Sequence, residues 1–590
     1  MRTAPPPTAR RLPRAPSGGL RLADPARRGT TLIIVTAVIL TVFAGRLVQL
    51  QAVHGEALAA EALGQRLRTV DLPAGRGAIV DASGEPLAVT VEARNLTADQ
   101  TMVTDPAMVA EQLGPILGVD PEVLTVRLTG DRRFMYVAKG LTPETWRRIE
   151  ALRLPGIFSE PTSRRVYPAG DLAANVVGFV GDEGTGLGGI EYAYQDELAG
   201  TNGQQTFERG PSGRVIPTAS RVVTDAQDGA TVQLTIDRDI QYFAQRILAQ
   251  KVAEAQADYG TLVVMDTVTG QILALATAPT FDANRAGQAR PGDRGNRALT
   301  AAFEPGSTSK LITLAAVVNE GAANPYSAFT VPGSLTRGDK AFKDHTPHGT
   351  LRLTLAGVMA KSSNIGTILA AERIGGRTLY RYMKKFGIGE PTGLDFPGEA
   401  NGYIPRYRDW SPTSFPTIAF GQGLSVNAVQ TASVFATIAN DGVRIQPSLV
   451  ASTIQPDGTV VPAPEPERTR VVSPAAAKQV RAMLETVVGE GGTAPQAAIP
   501  GYRVGGKTGT AQMYNEECRC YRGVVASFIG MAPADAPRLV VAVSIMNPRV
   551  GRYGGELGAP VFKRVMTYAL QARQIPPTGA KSARLPLTFG

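Results

Sequence analysis

"FEPGSTSK", residues 303–310, sets a serine and a lysine three positions apart where a proline-led turn enters the apolar run "LITLAAVVNEG" (311–321). Pro305, followed by a segment apolar on nearly every face, predicts a buried helix entered from a tight turn. Residues i and i+3 share a helix face, so Lys310 stands one turn from Ser307 and a proton could pass between them. A serine hydroxyl is a weak nucleophile until a base accepts its proton. A free lysine, with pKa about 10.4, is already protonated at neutral pH. The reading therefore requires that burial and a second cation push Lys310 down.

Two further segments complete a constellation. In "VGGKTGTAQ" (504–512) glycines and small threonines suit an edge strand that a ligand backbone approaches closely, with Lys507 as the cation and Thr508 and Thr510 as donors to an anionic substrate end across Gly509. In "AKSSNIGT" (360–367), at a helix end, Ser362 and Asn364 could face one cleft, the hydroxyl relaying a proton and the amide holding a substrate amide. With only twelve lysines against 49 arginines, S-x-x-K occurs once and so does K-T-G, whereas S-x-N recurs at Ser425 to Asn427. Each motif alone reads as structural; one per loop around a single cleft reads as a site. A Ser-His-Asp triad has little to draw on, since the histidines are His54, His345 and His348 and no G-x-S-x-G elbow is present. "DHTPHG" reads instead as a polar loop rimming the cleft.

Outward from these motifs, "GTLVVMDTVTGQILALAT" (260–277) and "VVASFIGMAPADAPRLVVAVSIM" (524–546) predict two hairpins, and "APVFKRVMTYALQAR" (559–573) a closing helix. Mainly helical patterns lie between the hairpins, among them "AVQTASVFATIANDG" (428–442). The economical arrangement is one antiparallel sheet built from both ends of this region, a helical subdomain inserted between them, and a cleft where the two meet. From about residue 55 to 225, short strands such as the pair in "GRGAIVDASGEPLAVTV" (75–91) alternate with helical periodicity, an α+β region with no catalytic cluster.

At 590 residues, 43% apolar and 19% charged, the chain is a folded protein of two or more domains. Its net charge of +10 is concentrated in residues 1–28, where seven arginines face one acid, Asp24. The rest has no basic stripe with interleaved aromatics, which excludes a nucleic-acid groove. "GTTLIIVTAVILTVFAG" (29–45) carries no charge, and its continuation "RLVQLQAV" makes up the length of a spanning helix. That favours an uncleaved anchor over a signal peptide, for which "VFA" (42–44) is a weak site. Arginines ahead of the span keep that end cytoplasmic. Cys518 and Cys520 read as two loop thiols as readily as a small, strained disulfide ring. With no histidine near them in sequence, no metal site and no cofactor is expected.

The ordered set Ser307 to Lys310, Ser362 to Asn364 and Lys507 to Gly509 resembles the S-x-x-K, S-D-N and K-T-G motifs of penicillin-binding proteins. "RGAIVDASGEPLAV", "RVYPAGDLAANVVGFVG" and "GLGGIEYAYQDELAG" are similar to the class B, division-specific type (FtsI type). The middle motif reads Ser362-Ser363-Asn364, which fits the division type better than the elongation type, and "NEECRC" has no counterpart in the family pattern.

The resemblance implies an α+β chain: a penicillin-binding transpeptidase (serine β-lactamase-like) fold, an antiparallel sheet flanked by helices plus a helical subdomain, on an elongated α+β pedestal behind one transmembrane helix. Expected domains are a cytoplasmic tail (1–28), an anchor (29–50), a non-catalytic pedestal of dimerisation type (51–225), a transpeptidase domain (226–575) and a C-terminal tail (576–590). It implies septal crosslinking of peptidoglycan stem peptides through an acyl-enzyme on Ser307, with Lys310 as base, Ser362, Asn364 and Lys507 completing the catalytic set, and Thr508, Gly509 and Thr510 binding substrate. Ser307 N–H and Thr510 N–H would form the oxyanion hole. Implied partners are β-lactam antibiotics, the bacterial inner membrane, an FtsW-type septal glycosyltransferase and other divisome proteins, with the catalytic domain periplasmic. The alternative is a non-catalytic β-lactam-binding septal scaffold or sensor; a β-lactamase would need an E-x-x-L-N segment, and none follows Ser307.

Overall fold

The computed structural model describes residues 25–53, 55–208, 222–515, 518 and 520–589. The expected cytoplasmic tail lies outside the described residues as far as residue 24. Among the described residues one helix, Pro25–Ala52, is long and apolar enough to cross a membrane, and its apolar stretch is not buried against protein. It begins four residues ahead of the expected span, because Ala26, Arg27 and Arg28 continue the helical turn that Pro25 opens.

The chain divides into two compact units, Met1–Leu72 with Gly203–Asp225, and Pro73–Asn202 with Ala226–Gly590. The first holds a three-stranded antiparallel sheet in which Gly203–Glu208 lies between Leu67–Leu72 and Val222–Thr224.

In the second unit, residues 73–202 share a sheet with later chain, since Ile79–Val80 pairs parallel to Thr231–Leu234. On its other side Ile79–Val80 forms the expected antiparallel pair with Pro86–Ala98. The turn between them closes on Asp81, whose Oδ1 accepts from Ser83 N–H, Ser83 O–H and Glu85 N–H at 2.8–2.9 Å. Helix Pro106–Leu117 starts where Asp105 caps Met108 N–H ahead of a proline and stops at Gly118, which has φ +65°.

The most buried charge in this part is Glu191, 0% exposed. Its carboxylate takes Arg76 Nε at 2.6 Å and Arg165 Nε at 2.7 Å, and Tyr167 O–H donates to it at 3.3 Å. Removing one partner of a buried ion pair strands the others without solvent. Glu191→Ala is expected to cost ~3–5 kcal/mol of stability, measured as an earlier urea unfolding midpoint, whereas a surface change such as Glu122→Ala leaves that midpoint in place.

The catalytic half is built on helix α1 (Arg238–Glu254), strands β1 (Tyr259–Asp266) and β2 (Ile272–Ala278), helices α2 (Lys310–Asn319), α3 (Leu355–Lys361), α4 (Asn364–Glu372), α5 (Ala428–Ala439) and α6 (Pro474–Val488), strands β3 (Gly505–Asn515), β4 (Cys520–Ala532) and β5 (Leu539–Met546), and helix α7 (Gly554–Ala572). The five strands form one antiparallel sheet in the order β2-β1-β5-β4-β3, so strands from both ends of the region meet and the helical segments between β2 and β3 are inserted. The strands β1, β2 and β5 are buried along nearly their whole length, as expected for a sheet covered on both faces. α7 packs on β4 and β5, with Phe562 against Phe528 edge to face at 4.8 Å, and on α1, where Tyr568 stacks on Phe243 at 4.3 Å.

α7 begins at Gly554, five residues before the expected start, with Pro560 inside it. A proline in an apolar run reads as a helix start, but here the chain enters the helix earlier because backbone must pass close to the sheet: a Cβ on Gly554 would lie 1.9 Å from Ser527 O.

Candidate active site

Ser307 lies in a single 3-10 turn, Gly306–Ser309, that feeds directly into α2. Two features hold the turn. Thr308 O–H donates to Pro305 O at 2.7 Å, and Gly306, at φ +51°, donates its N–H to Gly421 O at 2.9 Å. Ser307 stays half-buried while Lys310, the first residue of α2, is 0% exposed.

Lys310 Nζ makes three contacts with the middle motif: Ser362 O at 2.5 Å, Ser362 Oγ at 3.3 Å and Asn364 Oδ1 at 2.7 Å. Lys507, also 0% exposed on edge strand β3, reaches the same hydroxyl, with Nζ 2.8 Å from Ser362 Oγ and 3.1 Å from Thr508 O. Ser362 can receive both because α3 ends there in a left-handed residue, φ +56°, before Ser363 caps α4 by accepting from Gly366 N–H. The three motifs therefore converge on one hydroxyl. No hydrogen bond joins Ser307 Oγ to Lys310 Nζ among the described residues; the lysine's donors point at Ser362 and Asn364.

Burial pushes Lys310 down to about 7, against a smaller upward pull from Asp344. Lys507 is pushed well below its ordinary range, first by burial and then by the charge of Lys310. Of the two causes expected for Lys310, burial is the one that lowers it; the charge effect runs the other way, from Lys310 onto Lys507, where it adds to burial.

On β3, Thr508 Oγ1 lies 2.9 Å from Thr493 Oγ1, and Thr510 Oγ1 accepts from Gly554 N–H at 3.4 Å. Gly509 between them is closely packed: a Cβ there would sit 2.3 Å from Ser527 Oγ and 3.0 Å from Thr308 Cγ2, so any side chain would displace both. Sequence reasoning passed over Thr493, and it read Asp344 only as part of the polar rim "DHTPHG". Asp344 Oδ1 accepts from Ile365 N–H at 2.9 Å and its Oδ2 meets His348 Nε2 at 3.0 Å, while Asn364 Nδ2 donates to Lys343 O. The expected polar rim "DHTPHG" thus braces the Ser362 segment. The second S-x-N is structural: Asn427, 0% exposed, caps α5 in a reciprocal pair with Gln430.

The cysteines are paired. Cys518 and Cys520 form a disulfide at the end of the β3–β4 hairpin, their Cα atoms 5.2 Å apart, a separation that needs no backbone movement. Next to it Tyr521 O–H and Gly423 N–H both donate to Glu304 Oε1 at 3.1 Å. Burial raises the Glu304 carboxyl. Residues 516, 517 and 519 of "NEECRC" lie outside the described residues.

Residues 260–567 match the family model of the penicillin-binding protein transpeptidase domain, and residues 71–234 match the penicillin-binding protein dimerisation domain. The chain is 38% identical over 597 residues to penicillin-binding protein PbpB of Mycolicibacterium smegmatis, covering 95% of this chain and 92% of that one. It is 33% identical to peptidoglycan D,D-transpeptidase FtsI of Escherichia coli, covering 90% of each. This chain belongs to the class B penicillin-binding proteins of the FtsI type.

Among solved structures, penicillin-binding protein 3 of Mycobacterium tuberculosis in complex with aztreonam superposes with a TM-score of 0.70 at 32% identity, covering 88% of this chain and 100% of that one. The match carries the fold and the enzyme class: a penicillin-binding transpeptidase on an α+β pedestal, a serine-type acyl transferase of peptidoglycan synthesis.

Proposed function

We propose that this cleft crosslinks peptidoglycan stem peptides in septal wall synthesis through an acyl-enzyme on Ser307. The observation that carries the reading is the convergence of Lys310 and Lys507 on Ser362 Oγ. Ser307 Oγ adds to the carbonyl of the penultimate D-alanine as its proton passes to Lys310. The oxyanion is held by Ser307 N–H and Thr510 N–H, and Thr508 and Thr510 receive the terminal carboxylate across Gly509. Ser362, accepting from both lysines, keeps its own O–H to donate and delivers the proton to the departing D-alanine amine. The amine of a neighbouring stem then adds to the ester, loses its proton by the same path in reverse, and releases Ser307. Asn364 orients Lys310 and offers its amide to the substrate backbone. β-Lactams enter as substrates whose leaving group stays attached, so the ester persists.

The pedestal spans residues 51–225 and the transpeptidase domain 226–575; the expected tails are shortened at both ends, since the apolar helix already begins at Pro25 and residues 585–589 return to the catalytic half. The apolar helix anchors the chain in the inner membrane once, with its N-terminus cytoplasmic and its catalytic domain periplasmic at the division septum. The pedestal docks divisome proteins, and an FtsW-type glycosyltransferase supplies the glycan strands. A scaffold without catalysis would gain nothing from two lysines held fully buried, each at a cost in solvation.

The test is labelling of the full chain in detergent with a fluorescent penicillin, followed by peptide mapping. The expected adduct has the mass of one opened lactam on the peptide containing Ser307. An adduct on any other residue overturns the assignment.

A further inference from the structure

Residues 585–589 run back onto the catalytic half and lie along the edge of the two-stranded sheet of Ala328–Val331 and Leu351–Thr354, joined to it by a single β-bridge. Thr588 bridges Leu353 in antiparallel register. Phe589 N–H donates to Arg352 O at 3.3 Å, and Thr354 N–H donates to Leu587 O at 3.1 Å. Arg352 also lies over the Phe589 ring, 4.7 Å from its centroid, and Leu585 packs against the main core.

These contacts meet at the start of α3. Thr354 is its N-cap: the hydroxyl accepts from Gly357 N–H at 3.0 Å and donates to Pro586 O at 2.6 Å. Gly357, in the first turn, lies so close to the returning segment that a Cβ would fall 1.9 Å from Leu587 O. α3 is only seven residues long, and Ser362 follows directly at its other end. A short helix gripped at one end and bearing Ser362 at the other transmits any slip of the grip to the hydroxyl.

We propose that residues 585–589 are a positioning clasp: by bridging to Leu353, bonding the Thr354 cap and seating Leu587 O against Gly357, they set where α3 places Ser362 relative to Lys310 and Lys507. The inference rests on the catalytic reading of Ser362. It makes the segment a part of the acyl-transfer machinery that touches no substrate.

The test is a cycle in the full membrane-extracted chain: truncation of residues 581–590, Gly357→Ala, and the two combined. The penicillin acylation rate is followed from pH 5.5 to 9, together with amide exchange of peptides covering 355–364. Truncation is expected to slow acylation by ~10- to 10²-fold, to displace the pH midpoint, and to remove protection from 355–364 while the peptides of β1 and β5 stay protected. Alanine ordinarily favours a helix over glycine, yet Gly357→Ala is expected to slow the full chain about as much as truncation does and to add nothing in the truncated chain, where the clashing carbonyl is gone. Addition of the peptide KSARLPLTFG to the truncated chain restores the rate.

Unchanged acylation and unchanged exchange on truncation, or equal effects of Gly357→Ala in both backgrounds, overturn the clasp. If the intact chain gives no adduct on Ser307, the catalytic reading fails, and loss of protection confined to 355–364 still decides whether the segment grips α3. Should the truncated chain not fold, the single variant decides: Gly357→Ala acylating at the wild-type rate overturns the clasp.

Discussion

Lys310→Met is expected to slow acylation of Ser307 by penicillin by ~10² to 10⁴-fold, the range spanned by loss of a positioned general base. Methionine matches the length of the buried stem and leaves an apolar end where an amine stood, so the helix should hold its place. The cause of the loss can be separated from the loss of a charge. Lys310→Arg keeps a cation that does not deprotonate in proteins and is expected to fail as badly. In the wild type the acylation rate should rise with pH through a midpoint near 7, where burial places the amine. The two variants should lack that step.

Stability provides a second readout, with a sign that follows from linkage. The folded-state pKa of Lys310, about 7, lies below the ~10.4 of a free lysine. Between those values the unfolded chain binds a proton that the folded site has released, so stability increases as pH rises through the window. Below pH 7 both states are protonated and the full penalty of a buried ammonium remains. The increment amounts to ~5 kcal/mol at most, and Lys310→Met should remove it, reducing the dependence of the urea midpoint on pH to what Lys507, also lowered by burial, contributes. A variant that acylates at the wild-type rate would falsify the role of Lys310 as base.

The spacing of Ser307 and Lys310 was readable in the sequence because a single helical turn relates them. The same holds for the hairpins β1–β2 and β4–β5, whose apolar runs and turn residues are local. What sequence could not supply came from residues distant along the chain. Asp344 braces α4 through Ile365 N–H, and Thr493 lies against Thr508; neither carries a local pattern that marks it. The relative weight of burial and repulsion on the two lysines also needed packing, because a lysine's desolvation depends on everything that surrounds it. Residues 73–202 read as a module separate from the catalytic region, yet Ile79–Val80 pairs with Thr231–Leu234, a parallel contact across a long interval that no turn signal announces. The pairing of the cysteines stayed open in the sequence for another reason. Ring strain is the visible argument against a C-x-C disulfide, and the backbone geometry at the end of the hairpin that admits one is not encoded in the spacing.

Ser362 is where the three motifs depend on one another, so its replacement tests the constellation as a whole. Its hydroxyl is shared by Lys310 and Lys507, and its backbone carbonyl is a further acceptor for Lys310. Ser362→Ala removes the shared oxygen and the proton it would deliver, and leaves Lys507 Nζ with Thr508 as its one remaining partner among the described residues. The expected loss in acylation is ~10²-fold or more, as for removal of a positioned proton donor. Transfer to an amine acceptor should fall at least as far, because leaving-group protonation and acceptor deprotonation use the same hydroxyl. Position 362 also carries backbone strain, with φ +56°, which alanine retains and glycine relieves by ~1 kcal/mol. Ser362→Gly should therefore be more stable than Ser362→Ala in urea and equally slow toward penicillin. That pattern assigns the rate to the hydroxyl and the stability difference to the backbone. If the glycine variant acylates normally, the oxygen on which both lysines converge does not take part in the chemistry, and the proton must travel directly between Ser307 and Lys310.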